Sequence, residues 1–268
     1  MPMNESRARV PLALRPDALR GRVALVTGVS RRIGIGYGIA TRLAEAGASL
    51  MVQGYAAYDH EVYHTGADPG LIDDLRALGG RVEGLTADFR DPFAPAQVMS
   101  AAVSAFGHVD VLVANHAYSL PGPLGSLTAE RIDTHLAVNV RATLLLVQAF
   151  AAQHDRRSGG RVILMTSGQH SGPMPGELDY VASKAALHGL TASLSDTLVR
   201  RGVTVNTVNP GATDTGYATP DLYEAVKAHS PQGRWGEPDD AARLIAWLCS
   251  DDARWVTGQV INSNGGGW

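Results

Sequence analysis

The stretch RVALVTGVSRRIGIGYGIATRLAEAGASLMVQG, residues 22–54, decides the fold. It opens on an apolar run, "VALV", and turns through a glycine-rich loop. It continues with a helical pattern at 38–48 and closes on a second apolar run at 49–54. Strand, turn, helix and strand within about 30 residues make a βαβ unit.

The same alternation runs on from there. Strand-like runs lie at 81–88, 109–117, 160–168, 203–211 and 258–266, between helical patterns at 70–80, 94–107, 128–154, 179–201 and 238–250. The strands are continuously apolar rather than alternating, as expected of strands covered on both faces. Crossovers of this kind are right-handed. The chain is therefore read as α/β: one Rossmann-type, doubly wound parallel sheet of about seven strands with helices on both faces. No internal repeat or Pro/Ser linker marks a second domain, so 21–268 is read as one catalytic and dinucleotide-binding domain behind a flexible arm at 1–20. The irregular segment 212–236 follows a strand's C-terminal end and is a candidate lid.

The bulk numbers fit this reading. The 268 residues are 45% hydrophobic and 18% charged, enough for a sizeable core. A formal net charge of -3 gives no basis for nucleic-acid or anionic-membrane binding. Cys249 is the only cysteine, and we read it as a core helix residue rather than a nucleophile. The N-terminal stretch has no apolar h-region, and the run "ATLLLVQAFAA" is about half a membrane span. The expected location is cytoplasmic.

The loop "TGVSRRIGIG" at 27–36 has the setting of a phosphate-binding turn. Gly28 permits a tight turn, Gly34 lets the backbone approach an anion, and Gly36 lets the helix pack closely on the strand. A tight βα connection alone could also require such glycines. The second strand ends in Gln53, Gly54 and Tyr55, with no carboxylate for a ribose 2′-hydroxyl before Asp59. Arg31 and Arg32 lie in the loop, and arginine suits a phosphate by charge and fork geometry. We therefore expect NADP(H) in preference to NAD(H).

The stretch "SGQHSGPMPGELDYVASK" places Ser167 at a strand end, Tyr180 thirteen residues later and Lys184 four after that. Tyr180 and Lys184 share a helix face. A nearby ammonium favours the phenolate and lowers a tyrosine pKa that is ordinarily near 10. Such a pair can exchange a proton with a carbonyl or alcohol, and Ser167 can hydrogen-bond the oxygen as charge develops.

With these motifs in this order, the chain resembles the short-chain dehydrogenase/reductase family from about Gly21 to its C-terminus, with the plain architecture of a 3-oxoacyl-carrier-protein reductase. "TADF" places Asp88 and Phe89 against the adenine. "ANHA" at 114–117 stands where the family has N-N-A-G and keeps Asn115. "VNV" supplies Asn139, and "NPGATDT" matches the segment after the sixth strand. The resemblance implies Tyr180 as acid/base, Lys184 lowering its pKa and binding the nicotinamide ribose, Ser167 polarising the carbonyl, and Asn139 holding a relay water. It also places Gly28, Ser30, Arg31, Arg32, Gly34, Ile35, Gly36, Asp88, Phe89, Asn115, Tyr180 and Lys184 on the cofactor, with Pro210, Gly211, Thr213 and Thr215 at its nicotinamide end. A homotetramer or homodimer packed through 128–154, 179–201 and the last strand is implied as well.

The chain departs from the family in three places. The glycine loop is two residues longer than usual. An ungapped count would put Arg32 at the second glycine, so Gly34 and Gly36 are aligned with the second and third. His116 replaces an alanine and is a candidate for the cleft wall, although a histidine held by backbone groups is the commoner case. The stretch "YAAYDHEVYHTGADPG" at 55–70 carries His60 and His64 but no defensible metal spacing. It is read as a solvated loop, and no metal is expected.

The function expected is an NADP(H)-dependent oxidoreductase acting on a carbonyl/alcohol pair. Its substrate would be a 3-oxoacyl thioester, a sugar or polyol, or a ketone of secondary metabolism. His116, Gln169, His170, Glu177 and Tyr217 are the candidate substrate-pocket residues. The divergent enoyl-reductase branch places its lysine six after the tyrosine, where this chain has Ala186. A non-catalytic dinucleotide-binding regulator or scaffold is the alternative.

Overall fold

A computed structural model describes residues 14–155 and 157–267. The first unit forms in the order read, with strand β1 (Val23–Thr27), helix α1 (Ile35–Glu45), which starts and ends three residues earlier than expected, and strand β2 (Ser49–Gly54). The remaining strands are β3 (Val82–Thr86), β4 (Val111–Ala114), β5 (Gly160–Met165), β6 (Val203–Asn209) and β7 (Val260–Asn262). All seven pair in parallel, in the order β3-β2-β1-β4-β5-β6-β7. The order reverses between β1 and β4, where a doubly wound sheet opens a crevice at its strand C-terminal ends.

The helices are α2 (Ala56–Tyr63), α3 (Leu71–Arg76), α4 (Ala94–Phe106), α5 (Ala129–His135), α6 (Ala142–Gln153), α7 (Leu178–Val199), α8 (Pro220–His229) and α9 (Pro238–Cys249). Two hydrophobic layers cover the sheet. One joins Ile39 and Leu43 of α1 to Ile245 and Leu248 of α9, and the other joins Val98 of α4, Leu146 and Phe150 of α6, and Leu198 of α7. Cys249 is fully buried in the first layer, and burial pushes its thiol pKa up to about 12. The run Ala129–Gln153 is apolar and long enough to cross a membrane by length and composition. Here α6 packs on α4 and buries Leu146, Val147 and Phe150.

Three sequence expectations need correction. Residues 1–13 of the expected arm lie outside the described residues, but 14–20 are not loose. Leu14 and Leu19 join the first hydrophobic layer, and the Leu19 amide donates to the Ala46 carbonyl. The stretch 55–70 is not a solvated loop, because it contains α2, which ends at His64 with φ 56°. The last strand is only three residues long, and 263–267 turn back through bonds around Asn264.

Candidate active site

The glycine cradle comes first in the chain. Gly28 has φ 73°, a left-handed conformation that favours glycine. A Cβ on Gly36 would lie 2.2 Å from the Gly28 carbonyl oxygen, so α1 can approach β1 this closely only through glycine. That contact makes Gly36 the third glycine of the turn and supports the gapped reading of the loop over Arg32. Gly34 caps α1 without a side-chain bond, so the first-turn amides keep their anion-binding capacity. The Asn115 amide donates to the carbonyls of Thr27 (3.0 Å) and Gly28 (3.3 Å) and locks the turn onto β4.

At the cradle lies a cavity lined by Gly28, Ser30, Gly34, Ile35, Gly36 and Asn115, together with Asp88 and Phe89. These are the residues expected to hold a dinucleotide, and the shape of the cradle fits one. Gln53 does not serve a ribose. It is buried, accepts from the Gly28 amide (3.1 Å) and donates to the Ala87 carbonyl (2.7 Å).

The two loop arginines part company. Arg31 lines the cavity, stacks 3.7 Å over the Tyr63 ring and pairs with Asp59 at 3.2 Å. Arg32 does not reach the cavity, which corrects its assignment to the cofactor. Its guanidinium is held outside by Asp74, Asp68 and the Pro69 carbonyl. The sequence reading missed Tyr58, Asp59, Tyr63 and Arg90 as lining residues. Asp59 and Tyr63 at i and i+4 on one helix face were the available signal. Arg90 donates to the Tyr55 hydroxyl (2.9 Å) and to the Asp88 carboxylate (2.8 Å), so both cavity arginines are already paired.

His116 is corrected too. It is 7% exposed and lies under the dinucleotide cavity, not in the substrate pocket. Its ring nitrogens meet Thr27 Oγ1 (2.7 Å) and the Val138 carbonyl (3.1 Å), and the ring packs 4.3 Å from Phe89. Burial, with Lys184 adding, pushes its pKa down to about 3, so it is neutral.

The four catalytic candidates converge at the C-terminal ends of β4 and β5. Ser167 acts on the Tyr180 phenol in the direction of a lower pKa, but burial outweighs this and the phenol is raised above its ordinary value. Lys184 Nζ lies 5.6 Å from the Tyr180 ring centroid and donates to the Met165 carbonyl (3.0 Å). Burial lowers the ammonium pKa to about 8. The expectation that Lys184 sets a low tyrosine pKa is thus not met here, because desolvation acts harder on the phenolate. Asn139 sits in a π-helical turn, Leu136–Arg141, between α5 and α6, a deformation often found at functional sites. Its side chain accepts from the Tyr118 amide (2.7 Å) and donates to the Tyr118 carbonyl (2.9 Å) and Ser183 Oγ (2.9 Å). Ser183 Oγ in turn donates to the Tyr180 carbonyl (2.7 Å).

A larger cleft of about 1310 Å³ opens beside Tyr180. Glu177 and Tyr217 line it as expected, with Pro210, Gly211, Thr213 and Thr215 along one wall. Gln169 and His170 do not line it and are corrected. Gln169 folds back, accepting from the Ser167 amide and donating to Thr166 Oγ1, and His170 bonds the Ser167 carbonyl and Asn262 Oδ1. The segment 212–236 contains α8, whose Leu222 and Val226 line the cleft. Trp235 stacks on Tyr223 with ring centroids 5.4 Å apart, and Arg234 pairs with Asp240 of α9 at 2.6 Å.

Known proteins match this arrangement. A family model described as Enoyl-(Acyl carrier protein) reductase matches residues 28–267. An uncharacterized oxidoreductase, YjdA, of Bacillus subtilis (strain 168) is 38% identical over 251 residues, covering 91% of this chain and 96% of that one. A short-chain dehydrogenase from Burkholderia cenocepacia J2315, solved in complex with NADP, superimposes with a TM-score of 0.83 at 36% identity, covering 93% of this chain and 98% of that one. A blue fluorescent protein from a metagenomic library, solved with NADPH, gives the same TM-score, identity and coverage.

Proposed function

The chain belongs to the short-chain dehydrogenase/reductase family, and we propose that it interconverts a carbonyl and a secondary alcohol with NADP(H). The observation that carries this reading is the meeting of Ser167, Tyr180 and Lys184 beside the glycine cradle, at the mouth of a cleft large enough for a substrate. The bound dinucleotide supplies or accepts the hydride.

The chain's own groups handle the proton. Burial keeps the Tyr180 phenol protonated at neutral pH, so its Oη is a donor for the oxygen of a carbonyl in the cleft. Ser167 binds that same region and stabilises charge on the oxygen. Lys184 charges within reach of Tyr180 and, with its pKa near 8, can exchange a proton around neutral pH. Asn139 holds the Tyr180 turn through Ser183 and fixes the loop after β4 through Tyr118. The lysine stands four residues after the tyrosine, with Ala186 at the sixth position. This favours carbonyl over enoyl chemistry, although the matching family is described as an enoyl reductase.

Two observations support NADP(H): relatives of the same fold are solved with NADP and NADPH, and Arg31 faces a cavity whose neighbouring strand ends without a carboxylate. The expected assembly is a homotetramer or homodimer packed through 128–154, 179–201 and the last strand.

Tyr180→Phe tests the reading. Turnover of a mixed carbonyl panel with NADPH is expected to fall by about 100-fold or more, while NADPH titration of the variant stays close to wild type. Tight NADPH binding with no Tyr180-dependent turnover would move the non-catalytic, dinucleotide-binding reading to the front.

A further inference from the structure

The cleft beside Tyr180 carries a carboxylate that the fold does not use. Glu177 occupies the N-cap position of α7, yet its side chain makes no capping bond. Its backbone does the structural work, bridging to Gly122 and accepting from the Val181 amide. Burial raises its carboxyl pKa and Asp179 raises it further, with no cation among the described residues acting in the opposite sense.

The charged pair that also lines this cleft, Arg234 and Asp240, cancels. His229 is tied by Nδ1 to the Ala225 carbonyl. Arg31, stacked on Tyr63, lines the dinucleotide cavity and is paired with Asp59. Glu177 is the uncompensated charge facing the cleft among the described residues.

Aromatic residues share the cleft with that carboxylate. Tyr58, Tyr63, Tyr180 and Tyr217 line the same cleft. Glu177 raises the pKa values of both Tyr180 and Tyr217, and Tyr63 raises the same two, so these groups face one shared space. An unpaired carboxylate beside tyrosine faces attracts a cation by charge and by ring quadrupole. It repels phosphate, carboxylate or an acidic carrier surface by the same field.

We propose that the cleft selects a carbonyl or alcohol substrate bearing a positively charged nitrogen, with Glu177 as its counter-ion among the tyrosine faces. The inference rests on the carbonyl/alcohol reading above. It narrows the substrate class away from anionic thioesters and towards amino ketones and amino alcohols.

Two isosteric pairs test it on the full chain. Protonated dimethylaminoacetone and isobutyl methyl ketone are compared as substrates with NADPH. Choline and its uncharged tert-butyl isostere are compared by calorimetric titration without nucleotide. The cationic member of each pair is expected to be favoured by about tenfold, in kcat/KM and in Kd respectively. Glu177→Gln, close in shape and uncharged, is expected to bring both ratios towards one. Ratios near one in the wild type, a preference that survives in Glu177→Gln, or no measurable choline binding would each overturn the proposal. Loss of turnover for both ketones with the choline preference intact would instead sink the carbonyl reading and support the cation site.

Discussion

Arg31 meets the Asp59 carboxylate at 3.2 Å inside the dinucleotide cavity, and both side chains are nearly buried. The cationic loop that points to NADP(H) in the sequence is therefore neutralised by its own chain, Arg31 by Asp59 and Arg32 by Asp68 and Asp74. Burial raises the Asp59 carboxyl pKa, and bonds from Ser30 and Arg31 only partly offset this. One Asp59 oxygen has no hydrogen-bond partner. A phosphate arriving at Arg31 must compete with this carboxylate or tolerate its charge. Asp59→Asn is expected to tighten NADPH binding by about fivefold, the scale of one like charge removed at a partly desolvated site, with NADH binding almost unchanged. Fluorescence titrations with both nucleotides check this. Equal changes for the two would show that Arg31 does not meet the 2′-phosphate.

Arg32 supplies the matching control. Its guanidinium is tied to Asp74, Asp68 and the Pro69 carbonyl outside the cavity. Arg32→Ala is expected to leave the NADPH-to-NADH affinity ratio at its wild-type value, whereas Arg31→Ala lowers it. A fall in the ratio for Arg32→Ala would place its side chain on the cofactor after all.

Gly36 and Gly38 lie two residues apart on α1 but face different neighbours. A Cβ at 36 would meet the Gly28 carbonyl oxygen at 2.2 Å and the Asn115 amide nitrogen at 2.7 Å. A Cβ at 38 would meet Pro238 of α9 at 3.2 Å. Gly36→Ala must push α1 away from the turn. It is expected to cost about 2–3 kcal/mol of stability and to abolish measurable nucleotide binding. Gly38→Ala needs a shift of only a few tenths of an ångström and is expected to bind nucleotide normally. Thermal melts with and without NADPH separate the two, and a nucleotide-induced Tm rise surviving in Gly36→Ala would refute the cradle.

What the sequence made legible was what its neighbours along the chain determine. The βαβ order follows from periodicity and glycine placement, whereas Ser167, Tyr180 and Lys184 stand out only together with the glycine loop and the order of motifs shared with the short-chain dehydrogenase/reductase family. Failures came where a partner distant in sequence decides the outcome. Arg32 turns outward because Asp68 and Asp74 hold it. His170 leaves the cleft because Asn262, 92 residues away, accepts it. His116 sinks beneath the cavity because Thr27 and Val138 satisfy both ring nitrogens. Helix α2 was missed because its polar run, Asp59, His60 and Glu61, looks solvated, whereas Asp59 is buried against Arg31.

Asn139 joins the loop after β4 to α7 through three side-chain bonds to Tyr118 and Ser183. Asn139→Ala leaves the Tyr118 amide and carbonyl without these partners. It is expected to cost about 2–4 kcal/mol and to lower kcat more than it raises KM, because the Tyr180 turn loses its brace. Denaturant melts and steady-state kinetics check both parts. An unchanged midpoint would show that water replaces the side chain at no cost.

Lys184 gives a pH prediction with a definite sign. Burial holds its folded pKa near 8, while an unfolded lysine titrates near 10.4. Between these values the unfolded chain binds more protons than the folded one, so this residue's contribution to stability rises with pH. The burial penalty is fully present below pH 8 and gone above about pH 10.5. The gap corresponds to about 3 kcal/mol, reduced by the lost bond from Nζ to the Met165 carbonyl. Lys184→Met, which fills the same space without a charge, is expected to be inactive yet more stable than wild type by about 2 kcal/mol at pH 7. That gain should shrink to nothing as the pH approaches 10.5. Tyr58, raised by burial, opposes this trend above pH 10 in either protein and cancels in the difference. Urea melts of the two proteins at pH 7, 8.5 and 10 measure that difference directly. A gap that does not change with pH would mean that Lys184 is buried neutral throughout or keeps its charge at no cost, and its place as the proton-exchanging partner of Tyr180 would fall with it.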